Sequence, residues 1–273
     1  MTTRIENFVI TGATASGIQI IGNSTHQPTP IVAGCIIEQN QATLGGGIYV
    51  EYASPTITGN RILNNTASGA GGGIYAIGAS NGSEPVIADN LIEGNVAGGT
   101  GGGGGIYSFQ TNPSILNNTF IRNSGATKGG AIKLKLADPA TLINNIVAWS
   151  ETHNGIFVED DCDNVEIGYT CFHDNGVNIE EQQAGDVTEH HTLQGDPDPL
   201  IVCGFHLADG SPCRDAGDNG AFVSGDKDID GHDRIINDVI DIGADEYVAD
   251  VDGDGCVDDT DLAMVLTAFG FGC

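Results

Sequence analysis

Positive charge is scarce in this chain. Lys and Arg number 9 among 273 residues, against 37 Asp and Glu, for a formal net charge of −28. That balance argues against a nucleic-acid partner, because phosphate binding needs Lys and Arg. Long apolar runs are missing too, and none reaches the ~18 residues of a membrane span. The N-terminus, Met1-Thr2-Thr3-Arg4-Ile5-Glu6, has no basic region followed by an apolar core, so no signal peptide is visible. None of the 7 cysteines has a CxxC or other zinc-type spacing, which argues against a zinc site.

Glycine, by contrast, is abundant at 41 residues, and it recurs at fixed places. Five segments open at Pro30, Pro55, Pro85, Pro113 and Pro139, in steps of 25, 30, 28 and 26 residues. Each then carries an apolar pair followed by Asn, as in Ile36-Ile37-Glu38-Gln39-Asn40, Ile62-Leu63-Asn64-Asn65, Leu91-Ile92-Glu93-Gly94-Asn95 and Phe120-Ile121-Arg122-Asn123. A Gly-rich turn and an isoleucine close the unit at Ile48, Ile74, Ile106, Ile132 and Ile156. Residues 5–20 read as an earlier coil and 165–177 as a late, degenerate one; the chain begins inside a coil, which points to further sequence upstream.

The same residue types returning each period are the mark of a solenoid. The fold expected is all-β: a right-handed parallel β-helix of two or three short strands per coil, each strand pairing with its equivalents about 4.8 Å above and below. The five isoleucines should form one internal ladder. Asn60, Asn90, Asn118 and Asn145 should form another, with amides that both donate and accept between coils and with Cys35 in that place in the first full coil. The repeat resembles those of autotransporter-like and polymorphic outer-membrane β-helix proteins, and the Asn-containing coils of pectate-lyase-like proteins. The resemblance covers about two thirds of the chain and concerns the fold.

The acidity is confined to one end. Residues 1–150 hold seven acids and six bases, and residues 151–273 hold 30 acids and three bases. Cation binding or solubility in a salty medium fits such a surface. Spacing suggests three disulfides, Cys162–Cys171, Cys203–Cys213 and Cys256–Cys273, with Cys35 left facing inward. Such a set suits an oxidising, secreted or cell-surface location.

Three parts are expected: the β-helix over 1–189, a second module over 190–247 and a short tail over 248–273. The runs Phe205-His206-Leu207, Gly210-Ser211-Pro212-Cys213-Arg214-Asp215, Asp228-Ile229-Asp230-Gly231 with Arg234, and Asp241-Ile242-Gly243-Ala244-Asp245-Glu246-Tyr247 resemble the terminal module of secreted β-helix proteins of the choice-of-anchor type. The resemblance implies a cap that ends the helix. Its acids are either a solvated surface or, at Asp226, Asp228 and Asp230, Ca²⁺ ligands. In the tail, Asp250, Asp252, Asp254, Asp258 and Asp261 place oxygens at loop positions one, three, five, nine and twelve, with Gly255 at the sharp turn and the carbonyl of Cys256 at the seventh. Hard oxygen ligands around a tight loop suit Ca²⁺, and an apolar helix should follow at Leu262, Val265, Leu266 and Phe269, giving an EF-hand-like loop-helix. The loop resembles a dockerin repeat. Dockerins carry two such repeats and this chain has one, which argues against a cohesin partner.

The residue after each ladder isoleucine should face outward, giving the column Tyr49, Tyr75, Tyr107, Lys133 and Phe157. Phe109, Lys135 and Glu159 follow two residues on. An exposed aromatic column is a platform for sugar rings, and polysaccharide or another extracellular partner is the expected contact. The bland alternative is that tyrosines simply favour strands. An enzymatic reading resembles the polysaccharide lyases of this fold, with Lys133 or Lys135 as base beside Glu159, Asp160 and Asp161. Against it, neighbouring carboxylates raise the pKa of a lysine. No motif for a paired-carboxylate hydrolase is present. A structural spacer or adhesin is the third reading.

Overall fold

A computed structural model describes residues 3–23, 25–78, 82–150, 154–221 and 227–248. The expected Ca²⁺ loop at 250–261, Asp226 and the expected Cys256–Cys273 pairing lie outside the described residues.

Among the described residues, four parallel sheets of eight, seven, four and seven strands run along one solenoid, each with its strands in coil order. One middle coil contains Thr56–Thr58, Arg61–Leu63, Thr66–Ala70 and Ile74–Ile77, one strand for each sheet. Four strands rather than two or three arise because the Thr/Ala/Gly stretch after the second Asn also pairs, Thr66 with Gln41 and with Val96. That stretch lacks the alternating apolar pattern by which a strand is read from sequence.

Two corners per coil explain the recurring Gly, Asn and Asp. The residue just before each ladder Asn adopts a left-handed conformation, as at Gly59 (φ 63°), Asp89 (φ 56°), Asn117 (φ 54°) and Asn144 (φ 57°). Gly accepts this region freely, and short polar side chains tolerate it better than others. The Asn that follows then knits the coils together. Asn60 Nδ2 donates to Val32 O (2.9 Å), Thr58 O (3.0 Å) and Asn90 Oδ1 (3.0 Å), while Asn90 Oδ1 also accepts the Asn60 N–H at 2.9 Å. The pattern continues through Asn118 to Asn145, and Cys35 holds the place in the first full coil. A second ladder at the next corner joins Asn40, Asn65, Asn95 and Asn123 in the same manner.

Inside, Ile48, Ile74, Ile106, Ile132 and Ile156 are at most 1% exposed and stack in register. Burial of each such side chain contributes roughly 1.5–3 kcal/mol. The Gly-rich turns pack backbone on backbone: a Cβ on Gly73 would lie 2.7 Å from the carbonyl oxygen of Gly105.

Residues 190–247 leave the coil repeat. Residues 192–196 reach the end of the last coil, where Val177 is 50% exposed beside a shallow cavity. The remainder turns back along the outer face of the second sheet. Gly243 N–H donates to Asn144 O and Ala244 N–H to Thr119 Oγ1, both at 2.9 Å. Phe205 packs on Leu91 and Ile121, and Leu207, Cys213 and Ile242 pack on Ile146, Ala148 and Cys171. The module therefore covers a flank of the solenoid. The second sheet carries Leu91, Ile121, Ile146 and Ala148 outward, and this apolar surface needs a partner.

Several of the module's acids are buried. Asp228 accepts the N–H groups of Asp230, His232 and Glu246, Asp241 those of Asp215 and Tyr247, and Glu246 those of Ile236 and Asp241. Arg234, fully buried, sits among them. Asp228 is thus not a solvated surface residue; its oxygens hold turns.

The expected Cys162–Cys171 and Cys203–Cys213 bridges do not form, because Cys162, Cys171 and Cys213 carry free buried thiols. In a solenoid the spatial neighbour is one coil away, not nine residues along. Cys162 Sγ accordingly meets Ala137 N at 3.4 Å, and burial pushes its thiol up to about 11. Cys35 faces inward as expected and is 1% exposed.

Candidate functional site

The outward face of the fourth sheet gathers the residues singled out for function. Parallel register places Tyr49, Tyr75, Tyr107, Lys133 and Phe157 in one row, and Glu51, Ile77, Phe109 and Lys135 in the next. The Tyr49 and Tyr75 rings are parallel with centroids 5.8 Å apart, Tyr75 and Tyr107 are tilted at 5.3 Å, and Tyr107 is parallel to Phe109 at 6.3 Å. Offset and tilted aromatic pairs of this kind add about 0.5–1.5 kcal/mol beyond their buried area.

The row is less open than strand alternation implies. Tyr75 is 7% exposed, Tyr107 8% and Phe157 2%. Leu44 and Ala70, carried on the third sheet, pack against the tyrosines, and a Cβ on Gly71 would touch Tyr75. Tyr49, Ile77 and Phe109 remain half-buried. Beside Tyr49 a groove of about 330 Å³ opens between Thr14, Ser16, Gln19, Thr43 and Leu44. Burial, helped by Glu51 at 3.2 Å from the hydroxyl, pushes Tyr49 up to about 12. Burial also raises Tyr75 and Tyr107.

At the other end of the row lies an ionic cluster. Glu159 receives Lys133 Nζ at 2.8 Å and a second hydrogen bond from Lys135 Nζ. Lys133 Nζ lies 5.4 Å from the Tyr107 ring centroid and 5.5 Å from that of Phe157, within cation–π range. Burial by itself would raise Glu159, but hydrogen bonds from the two lysines outweigh it and hold the carboxyl below its ordinary range. Donating to the Glu159 carboxylate in turn raises Lys135. Of the other acids proposed with them, Asp161 accepts the Leu136 N–H at 3.1 Å and Asp160 is exposed.

Two further groups join this surface that the sequence reading passed over. Glu180 extends the row beyond Phe157 and pairs with Lys128 at 2.6 Å, whose ammonium sits 4.2 Å over the Phe157 ring. Carrying the coil period one step past 157 places a residue there, but the late coil has no Gly-Gly-Ile landmark to fix the register.

Fold and site together define a parallel β-solenoid with an aromatic and ionic strip along one flank. The chain belongs to the family described as the right handed beta helix region, whose model matches residues 1–147 and, overlapping, 62–213. No curated protein and no solved structure matches the chain.

Proposed function

We infer that this protein is a non-catalytic, secreted or cell-surface β-helix module that contacts polysaccharide along its fourth sheet. The observation that carries this reading is the continuous strip from Tyr49 through Ile77 and Phe109 to Lys135 and Glu159, with a groove opening beside Tyr49. Half-buried rings offer a flat face at little entropic cost, because their neighbours already hold them. Tyr75 and Tyr107 act as the support beneath that face. The tail loop at 250–261 is assigned to Ca²⁺ by its oxygen spacing.

A lyase reading is supported by the closeness of Lys133 and Lys135 to Glu159. The same closeness argues against it, since a lysine base requires a lowered pKa and Lys135 is shifted the other way.

A binding screen against neutral and acidic polysaccharides tests the proposal. Retention of at least one glycan, weakened in Tyr49→Ala and Phe109→Ala with the fold intact by circular dichroism, is the expected result. No retention of any glycan would favour a structural spacer. Unsaturated, ultraviolet-absorbing products that vanish in Lys133→Ala or Lys135→Ala would favour the lyase.

A further inference from the structure

We propose a divalent transition-metal site, with Zn²⁺ as the fitting ion, formed by His206, Asp230 and Asp245. The three residues come from separate segments of the module, and one ligand atom from each lies within 4.8 Å of the other two. His206 Nδ1 is 3.3 Å from Asp245 Oδ1 and 3.4 Å from Asp230 Oδ2.

His206 Nδ1 is within hydrogen-bond reach of Asp245, but both separations are longer than a tight charged pair makes. Charge-assisted N–H···O bonds run at about 2.7–2.9 Å, and Nδ1 has only one proton to direct at two nearly equidistant oxygens. The separations suit a shared metal. Zn–N and Zn–O bonds near 2.1 Å in a tetrahedron place adjacent ligand atoms about 3.4 Å apart.

The surroundings orient the donors. The second oxygen of Asp245 accepts the Leu207 N–H at 3.0 Å, and the second oxygen of Asp230 accepts Arg61 Nη2 at 3.1 Å. Each carboxylate is therefore anchored by one oxygen and presents the other toward His206, as in metal sites whose outer partners fix their ligands. Arg61 is itself held over the Phe205 ring, 4.5 Å from its centroid. Asp230 also lines a cleft of about 780 Å³ between the module and the first coils, so one of the three ligands faces solvent. One nitrogen and two oxygens from the protein suit Zn²⁺ better than Ca²⁺, which gathers six to eight oxygens.

Calorimetric titration of the metal-stripped full chain with Zn²⁺ tests the site. The expected result is saturable uptake that raises the unfolding temperature, since the folded chain alone assembles the three ligands. Co²⁺ in its place should show the visible bands of a four-coordinate ion. His206→Ala and Asp245→Asn should each abolish that uptake. Asp230→Asn, at a partly exposed position, serves if either of those fails to fold. His191→Ala, at the histidine pair elsewhere on the surface, should leave it unchanged. No saturable Zn²⁺ uptake by the parent chain, or uptake undiminished in folded His206→Ala or Asp230→Asn, would overturn the proposal.

Discussion

Arg234 Nε lies 3.5 Å from Asp89 Oδ1, and both side chains are almost wholly buried. Asp89 belongs to a corner of the solenoid and Arg234 to the C-terminal module, so the contact spans the joint between them. Arg234 also donates through Nη2 to Gly243 O at 2.9 Å and Asp241 O at 3.2 Å, and its Nη1 lies 3.9 Å from Glu246. One guanidinium thus faces the helix on one side and the turns of the module on the other.

Arg234→Met should destabilise the joint strongly. Removing the cation leaves Asp89 buried without its counter-charge, a situation that costs about 3–5 kcal/mol. Thermal unfolding should show a lowered transition in Arg234→Met. In Asp89→Asn/Arg234→Met the loss should be smaller than the sum of the single losses, because the two residues share one interaction. Additive losses would show that they act separately.

Gly73→Ala should be destabilising even though alanine is a modest change. The new Cβ would stand 2.7 Å from the Gly105 carbonyl oxygen, a backbone atom that cannot swing aside. Overpacking of this kind costs about 1–3 kcal/mol. The same substitution at Gly12, where a Cβ would meet nothing within 4 Å, isolates the conformational cost of its φ of 70° from steric crowding. Denaturant unfolding of the two variants should separate them, with the Gly73 variant losing more.

Much of the solenoid was legible because a coil repeats its own constraints. Ile48 and Ile74 occupy one place in one ladder, and Asn60 and Asn90 another, so each period confirms the last. What covers each face was not legible. Alternation along Ile106–Phe109 tells which way Tyr107 points, but Ala70, which helps bury it, sits on a third-sheet strand whose Thr/Ala/Gly sequence shows no alternating apolar pattern. The module's course was hidden for a related reason: Ala244 bonds Thr119 across 125 residues, and nothing local in either segment announces the other. Pairing Cys162 with Cys171 by nearness in sequence failed because the coil sends Cys162 against Ala137 instead.

The ionic cluster at Glu159 gives a pH dependence of known sign. Glu159 titrates below its unfolded value of 4.5 in the folded chain, so its contribution is full above about that pH and is lost as pH falls through the lower folded value. Lys135 titrates above its unfolded value of 10.5, so its contribution is full below that pH and is lost as pH rises through the higher folded value. Glu159→Gln should therefore lower stability across the plateau between them and flatten both limbs. At pH 7 the loss should approach about 3 kcal/mol, because Lys133 is left nearly buried without a full partner. Unfolding midpoints measured from pH 3 to pH 11 would check both limbs.

Cys35 stands where every later coil through Asn145 places asparagine at that corner. Its N–H already donates to Asn60 Oδ1 at 2.9 Å, as the N–H of Asn60 does to Asn90. Its sulfur lies 3.4 Å from Ala33 O and 3.9 Å from Ile5 O. Asn60 Nδ2 binds the equivalent carbonyls, Thr58 O and Val32 O, at 3.0 and 2.9 Å. A thiol is a weak donor with one hydrogen, whereas an amide supplies two strong ones to the same pair of acceptors. Cys35→Asn should therefore stabilise the first coils, by about 1 kcal/mol for each well-made bond. The gain should appear as a higher unfolding temperature and as slower hydrogen exchange at the N–H groups of Ile31, Gly34 and Ile36, which bond to neighbouring coils. A loss of stability would mean that the corner is packed around sulfur and that the amide cannot take up the geometry it has one coil further on.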